Sequence, residues 1–351
     1  MDGDCLKLTS YVSERHRAGG QPTADALLDL YRQHEIAASI LLRGMPGFGL
    51  RHHLRTDRSL TLPEDLRLVA VAVDARPRIE AVLEQAIALA GPGLVTLERA
   101  QLLDGNASQA FGPAGPGEDA AKLTIFLGRH EQAYHIPAFE AVCDLLYRRG
   151  VAGATALLGV DGTARGQRQR ARFMGRHEMP MMVIAVGSQE QVSRVIPDVS
   201  GLLRHPLLTL EPVRVCKRDG LLLGVPDRSS GTGELGLPLW QKLTVYTSGA
   251  ARHDGQPIHR VLTQRLRAAG LGGVTTLRGM WGFRGDHTPH GGSGLRLAHH
   301  VPAMTIVIDA PKRIATAFGI IDELTGERGL VTSETVPATR APTSNLRQDQ
   351  A

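Results

Sequence analysis

Two spacings of apolar residues alternate along the chain. One is the i, i+3, i+4, i+7 spacing of a helix that buries one face, and the other is a short continuous apolar run, typical of a buried strand. The helical spacing occurs before residue 40 and again after residue 138. Its members are Leu27, Leu30, Tyr31 and His34 in the first case, and Phe139, Val142, Cys143 and Leu146 in the second.

A second amphipathic stripe follows the apolar runs. Asp74, Ser188 and Asp309 stand just before this second helix, where a side-chain oxygen can accept bonds from the free N–H groups of the first turn. The pattern therefore predicts strand, helix, strand, glycine turn and loop, strand, helix and strand. The second stripes are Ile79, Val82, Leu83, Ala86 and Ile87, and later Val192, Val195, Ile196 and Val199.

Three short phrases recur in the same order and divide the chain into three copies of one unit. The first phrase is Lys-Leu-Thr, which begins at Lys7, Lys122 and Lys242, and a glycine turn begins 36 positions after each of these lysines. Matching spacing at repeated anchors indicates tandem duplication. Each copy closes on a Leu-Val-Thr or Leu-Leu-Thr phrase whose glutamates are Glu98, Glu211 and Glu334.

The element order is that of the ferredoxin-like βαββαβ unit, with four antiparallel strands and two helices on one face. The third strand of each unit is apolar at almost every position, as in residues 66–73 and 179–186. Such a run indicates burial on both faces, so the helix-free face must pack on something, and the other two units supply the partner. We therefore predict an α+β fold of three ferredoxin-like units that form a monomeric pseudo-trimer.

Gly-, Pro- and Ser-containing stretches between the units predict linkers. The predicted boundaries are 1–104 for the first repeat, 105–119 for a linker, 120–218 for the second repeat, 219–239 for a second linker, 240–336 for the third repeat and 337–351 for a disordered tail.

Composition narrows the function classes. The 351 residues are 42% hydrophobic and 21% charged, as in a globular protein, and the net charge of +5 comes mainly from arginines that are not interleaved with the scarce aromatic residues. This argues against a nucleic-acid partner. No apolar run approaches the ~20 residues that span a bilayer. Cys5, Cys143 and Cys216 are far apart and predict core thiols in a reducing compartment, so we expect a cytoplasmic protein.

The glycine turn of the first copy reads Arg43-Gly-Met-Pro-Gly-Phe-Gly, and that of the third reads Arg278-Gly-Met-Trp-Gly-Phe-Arg-Gly. This turn resembles that of the DUF190 (UPF0166) family of PII-like proteins, whose members carry Arg-Gly-x-x-Gly-Phe-Gly at this point. The second copy departs, with Leu158 in place of the arginine and Thr163 in place of the phenylalanine. The resemblance covers nearly the whole chain, three times over, and implies a PII-like pseudo-trimer.

The resemblance also implies a ligand. In PII trimers this turn, together with a glycine-rich loop similar to residues 325–329 here, holds the phosphates of a nucleotide between neighbouring subunits. A small anionic metabolite, expected to be an adenine nucleotide, is therefore the implied ligand, and no other cofactor is expected. The implied ligand-binding residues are Arg43, Gly44, Gly47, Phe48, Gly49, Arg278, Gly279, Gly282, Phe283 and Gly285.

Each of these features also has a purely structural interpretation. Glycines can mark a turn that needs a positive φ, and Arg43 and Arg278 can pair with carboxylates across the repeats. Lys7, Lys122 and Lys242 lie on the strand face opposite the core-facing leucines, so they point toward the shared centre. There they meet either a bound anion or, as base rates favour, the carboxylates of other copies.

Other candidate sites are weaker. The arginine-rich stretch 165–176 is interpreted as a solvated loop, or as a docking loop for an acidic partner or a membrane protein. No nucleophile with a matched base recurs between the copies, so no catalytic residue is predicted, and no metal site either. Histidines cluster in a glycine-rich loop, at His287, His290, His299 and His300.

We therefore predict a non-enzymatic PII-like regulatory protein that binds a small anionic metabolite and signals through mobile loops to a protein partner. The alternative is a ligand-free adaptor that only docks on a protein or membrane-transporter partner. An enzyme acting in the same clefts is a third class, recognisable by turnover of a bound nucleotide.

Overall fold

A computed structural model describes residues 3–48, 67–103, 120–164, 167–168, 179–204, 206–271, 273–285, 288–291 and 301–340. Each repeat contributes four long strands and two helices, in the element order that the apolar pattern predicts, and we number the strands first to fourth within a repeat. The elements of repeat 1 are Gly3–Ser13, Thr23–Gln33, Ala38–Phe48, Arg67–Ala75, Arg76–Ala90 and Leu94–Leu103. Those of repeat 2 are Ala120–Gly128, Ala138–Arg148, Gly153–Leu158, Pro180–Ser188, Gln189–Leu202 and Leu207–Arg218. Those of repeat 3 are Leu239–Ser248, Ile258–Ala268, Val274–Arg278, Pro302–Asp309, Pro311–Thr325 and Leu330–Thr339.

Short elements complete the repeats. A glycine turn carries the second strand onward into a turn strand in repeats 2 and 3, Asp161–Ala164 and Trp281–Arg284. The predicted linker 219–239 holds the strand Leu221–Leu222 and the single turn Glu234–Gly236, whereas residues 105–119 lie outside the described part. The remaining two-residue strands are Arg17–Ala18, Gln21–Pro22, Gln132–Ala133, Ile136–Pro137, Gln167–Arg168, Arg252–His253, Gln256–Pro257 and His290–Gly291.

The predicted fold class is wrong. The described residues are mostly β, at 48% strand, and form a closed nine-stranded antiparallel barrel with six helices. Seventeen strands belong to one continuous hydrogen-bonded sheet, whereas three ferredoxin-like units would each keep a separate four-stranded sheet. An α+β pseudo-trimer of ferredoxin-like units therefore does not describe this molecule. The physical reason is that the strand edges of each repeat find their hydrogen-bond partners in the other repeats.

The ladders between strands of different repeats show how the barrel closes. The second strands of repeats 1 and 3 pair, with Gly44 opposite Leu277. The fourth strand of repeat 2 pairs with the fourth strands of both other repeats, and Leu208 lies opposite Leu103 of repeat 1. Between these joins each strand pairs with neighbours of its own repeat. All of these ladders are antiparallel, and they join the strands of the three repeats into one sheet.

The glycine turns form a second set of joins. The turn strand of repeat 2 pairs with the second strand of repeat 1, with Gly162 opposite Ile40. The turn strand of repeat 3 pairs with the second strand of repeat 2, with Gly282 opposite Thr155. The end of the second strand of repeat 1 pairs with repeat 3. Each repeat therefore donates backbone hydrogen bonds at its turn to another repeat.

Four apolar clusters fill the molecule. One cluster in each repeat lies between the two helices and the sheet. The helix stripes predicted for repeats 1 and 2 lie in these clusters, except that His34 is exposed and Ile87 is only partly buried. The fourth cluster is built by all three repeats and includes Val71, Ile184 and Ile306 from the third strands. The central residues of the third strands are buried on both faces, as the continuous apolar runs predict.

Of the three predicted helix caps, only Ser188 is confirmed. Ser188 forms a capping box with Gln191, because its hydroxyl accepts from the Gln191 N–H and its own N–H donates to the Gln191 side chain. Asp74 and Asp309 are not caps: the N-cap positions are Ala75 and Ala310, one residue later. In the described segments, no helix is both long and apolar enough to cross a membrane.

Candidate functional site

The first glycine of each turn allows two backbones to approach closely. A Cβ on Gly44 would stand 2.9 Å from the carbonyl oxygen of Arg67, which lies on the third strand of the same repeat. The corresponding distances in the other repeats are 2.9 Å at Gly159 and 3.0 Å at Gly279, again to a third-strand carbonyl. Such contacts are shorter than ordinary Cβ packing permits, so the position requires glycine in all three copies.

The next glycine is held by a different repeat. A Cβ on Gly282 would lie 2.2 Å from the carbonyl oxygen of Ala154, and its φ of 151° disfavours other residues. Phe283 beside it is buried in the core of repeat 2, where its ring packs edge-on against Tyr147 at 5.4 Å. Two of the predicted ligand residues therefore join repeats 2 and 3.

The two predicted arginines come together at the join of repeats 1 and 3. The ladder that pairs Gly44 with Leu277, continued by one position, sets Arg43 across from Arg278. Both side chains are exposed, and the Arg43 guanidinium donates to the carboxylate of Glu14. The ladder thus brings the backbones of two arginines from different repeats next to each other.

Some of the remaining predicted site residues lie within the described part of the chain and others lie outside it. Gly47 and Phe48 end the second strand of repeat 1, whereas Gly49 lies outside the described residues. Gly285 follows the turn strand of repeat 3 with a φ of 57°. Of the histidines, His290 is described and its ring contacts the carbonyl of Thr288; the others lie outside, as does most of the arginine-rich stretch.

The structure adds Arg284, which sequence reasoning did not single out. Its guanidinium donates to the carboxylate of Asp219, in the segment between repeats 2 and 3. The available signal was the departure of the third copy from the family pattern, since Arg284 is an extra residue between Phe283 and Gly285.

The repeated lysines and glutamates meet in one buried cluster, which we call the Lys–Glu ring. All six side chains are buried although each carries a formal charge, and burial of charge is tolerated only when it is paired. The lysines lie on the first strands and the glutamates on the fourth strands. The members of the ring are Lys7, Lys122, Lys242, Glu98, Glu211 and Glu334.

Each lysine of the ring contacts the glutamate of its own repeat and at least one glutamate of another repeat. Lys7 Nζ is 2.6 Å from Glu98 Oε2 and also donates to Glu211. Lys122 Nζ is 2.8 Å from Glu211 Oε2 and 2.6 Å from Glu334 Oε2. The third lysine closes the ring with contacts of 2.9 and 3.4 Å to the glutamates of repeats 1 and 3. Cross-repeat ion pairs, the structural interpretation of the lysines, are confirmed.

Proton affinities in the ring reflect this pairing. Burial alone would raise the pKa of Glu98, but the three ammonium groups outweigh it and hold that pKa well below its ordinary value. The pKa of Glu334 is lowered in the same way. Burial would lower the pKa of Lys122, yet the surrounding carboxylates raise it well above its ordinary value. Glu98, Glu334 and Lys122 are therefore held in their charged forms at neutral pH.

The ring glutamates also have the spacing of metal ligands. One oxygen from each of Glu98, Glu211 and Glu334 lies within 4.8 Å of the others. Those carboxylates already accept from ammonium groups, so a metal ion would have to displace lysine from a buried, charge-balanced site. Ion pairing between repeats is the chemistry that this arrangement supports.

A small cavity adjoins the ring. Its volume is about 40 Å³, which suits one or a few water molecules and is far too small for a nucleotide. Polar residues at the wall are the three ring lysines and Thr9, Thr124, Thr244, Tyr11 and Tyr246. This space therefore does not hold a metabolite-sized ligand.

The ring predicts how stability depends on pH. The lowered pKa values of Glu98 and Glu334 give stability that is present above the unfolded value of about 4.3 and is lost as pH falls further. The raised pKa of Lys122 gives stability that is present below about 10.4 and is lost as pH rises through its higher folded value. We expect this contribution to be constant between about pH 5 and 10 and to decline at both ends. Urea unfolding at a series of pH values measures this.

The three cysteines are buried free thiols, as the sequence predicts. Burial is the main cause that raises the pKa of Cys5 and of Cys216 to about 12, and it also raises the pKa of Cys143. At neutral pH these groups are protonated thiols, which are poor nucleophiles.

The family of the chain follows from a comparison with known families. The DUF190 family model, described as "Uncharacterized ACR", matches three times, over residues 5–102, 120–215 and 240–338. Together the matches cover most of the chain. The chain belongs to the DUF190 family. Each match ends within the fourth strand of a repeat, so each matched segment contains one ring lysine and one ring glutamate.

Proposed function

We propose that this DUF190 chain is a PII-like regulatory protein and not an enzyme, and that it binds a small anionic metabolite of the nucleotide class where repeats 1 and 3 meet. The observation that carries the proposal is that Arg43 and Arg278 stand just beyond the last pair of a cross-repeat ladder, Gly44 opposite Leu277, and that both side chains are exposed. Guanidinium groups present planar forks of N–H donors that match phosphate oxygens. A ligand held by both would bridge two repeats.

The surroundings support an exchangeable anion at this place. Arg43 is 54% exposed in its side chain and already holds a carboxylate, that of Glu14. An exposed pair of this kind contributes little stability, about 0–1 kcal/mol, so a phosphate group can replace the carboxylate at small cost. The segment 49–66 follows the turn directly, and we propose that it reports occupancy of the site to a protein or membrane-transporter partner.

Calorimetric titration with ATP, ADP, AMP and cyclic nucleotides tests this proposal. We expect saturable binding of at least one nucleotide, and we expect the affinity to fall roughly tenfold or more in Arg43→Ala and in Arg278→Ala, since a charge-assisted hydrogen bond to phosphate is worth about 1.5–3 kcal/mol. Arg194→Ala is the matched control, because Arg194 forms an exposed ion pair with Glu190 on a helix of repeat 2.

Binding that is equal in all four proteins would place the site elsewhere. A nucleotide that is consumed over hours in the calorimeter cell would instead indicate an enzyme.

A ligand-free adaptor is the second candidate, and one surface favours it. Four apolar side chains in the segment between repeats 2 and 3 are exposed. Exposed apolar patches of this kind often mark protein interfaces. Under this alternative, Arg43→Ala and Arg278→Ala change only the stability, and no nucleotide gives heat. The exposed residues and their exposed fractions are Leu221 at 67%, Leu222 at 59%, Leu223 at 53% and Val225 at 57%.

A further inference from the structure

The fourth strand of repeat 2 runs beyond the barrel into a tight hairpin. Arg218 pairs with Leu221, so the loop consists of Asp219 and Gly220 alone. Both loop residues have positive φ, 47° and 87°, as a type I′ turn requires, and Asp-Gly is a preferred sequence for that turn. The hairpin therefore fixes where the Asp219 side chain points.

Lys217 anchors the base of this hairpin to repeat 3. Its side chain is almost fully buried, and its Nζ donates to the carbonyl and the carboxylate of Asp322 and, at 3.1 Å, to Thr325 Oγ1. These acceptors lie in the last turn of the helix Pro311–Thr325, where a cation is favoured by the helix dipole. The hairpin is thus fixed against the end of one helix.

Asp219 touches the glycine turn and the last loop of repeat 3 at once. Its N–H donates to the carbonyl of Gly329 at 2.9 Å. Its carboxylate accepts from the guanidinium of Arg284, and a Cβ on Gly285 would lie 3.8 Å from its Oδ2. The Arg284 side chain is 22% exposed and that of Asp219 is 46% exposed, so water reaches the pair.

We propose that Arg284 anchors an anion subsite for the phosphate or carboxylate group of a soluble metabolite. When no ligand is bound, the Asp219 carboxylate occupies this subsite. The proposal goes beyond the proposed function, because it concerns the join of repeats 2 and 3 and not that of repeats 1 and 3. A ligand that brings two or more anionic oxygens displaces a single carboxylate whose pair with Arg284 is open to water. Arg284 is then free to bind the ligand, and the Asp219 turn leaves its place beside the last loop.

Inorganic pyrophosphate is the probe, titrated calorimetrically at low ionic strength into the full chain. We expect Asp219→Asn to bind pyrophosphate roughly two- to fivefold more tightly than the wild type, the factor set by an exposed ion pair. Asparagine tolerates positive φ, so the turn is retained. Asp227→Asn is the control, because it removes the same charge from the same segment, where Asp227 binds Ser229 and not Arg284. Adding Arg284→Ala to Asp219→Asn should abolish the gain.

Hydrogen exchange of the Asp219 amide provides a second readout. If the ion pair were merely structural, pyrophosphate would not change this exchange rate. In the wild type, pyrophosphate should accelerate exchange of the Asp219 amide, which donates to Gly329. The proposal is overturned if Asp219→Asn gains no affinity, if the gain survives Arg284→Ala, or if neither protein binds pyrophosphate. Nucleotide binding that depends on Arg43 and Arg278 but ignores Asp219 would reject this subsite alone. A pyrophosphate gain in a chain that binds no nucleotide would reject only the function proposed above.

Discussion

Replacement of Lys122 by methionine is expected to lower the free energy of unfolding by about 3–5 kcal/mol, the largest effect that we predict. Lys122 contacts all three glutamates of the Lys–Glu ring, at 2.6, 2.8 and 3.5 Å. Methionine retains most of the volume, so the loss comes from three buried carboxylates that then share two ammonium groups. Urea unfolding followed by tryptophan fluorescence measures the difference.

Two controls show that the effect belongs to the ring. Lys312→Met removes an exposed lysine from a helix and should change stability by less than about 0.5 kcal/mol. The excess carboxylate in Lys122→Met should have a raised pKa, so this variant gains stability as pH falls from 7 toward 5, where the wild type stays constant. A loss below about 1 kcal/mol, or no such gain at low pH, would contradict the prediction.

Substitution of Gly282 by alanine is expected to cost at least about 2 kcal/mol. The added Cβ would meet the Ala154 carbonyl at 2.2 Å and the Pro302 ring at 2.9 Å, and the φ of 151° is strained for any residue with a Cβ. Because that carbonyl belongs to repeat 2, relief of the clash must separate two repeats. Thermal or urea unfolding gives the magnitude, and faster hydrogen exchange in the strand Gly153–Leu158 would locate it.

Gly319→Ala is the matched control, with the opposite expected sign. Gly319 lies inside the helix Pro311–Thr325, and nothing stands within 4 Å of its would-be Cβ. Alanine should therefore stabilise the chain by about 0.5–1 kcal/mol through its better helix propensity. Equal effects at the two glycines would show that the join of repeats 2 and 3 is more pliable than the distances indicate.

The sequence predicted local features well because local features depend on periodicity. The repeat, the order of elements and the burial of the third strands follow from spacing along the chain. The convergence of Lys7, Lys122 and Lys242 followed from the alternation of side chains on a strand, which sets the face that a residue occupies. The predicted fold class was wrong because the alternation of side chains does not determine which strand lies next to which. Gly282, for example, pairs with Thr155 of another repeat.

The candidate site was predicted only in part, for related reasons. Arg43 and Arg278 are 235 positions apart by their numbers, and nothing in the sequence between them indicates that their strands pair. Phe283 looked like part of a ligand loop, but it fills the core of repeat 2, because its apolar ring gains more from burial there than from contact with an anion. Arg284 was overlooked because its partner, Asp219, lies in a segment that was read as a linker.

The Lys–Glu ring also has a consequence for the evolution of the gene. Lys122 and Glu334 are separated by 212 residues, yet each neutralises the other inside the protein. A codon change at one of them therefore places the distant codon under selection, and a compensating change must arise in a different repeat of the same gene. Recombination that exchanged one repeat for a diverged relative would break such pairs, so the three repeats are expected to be inherited as one block.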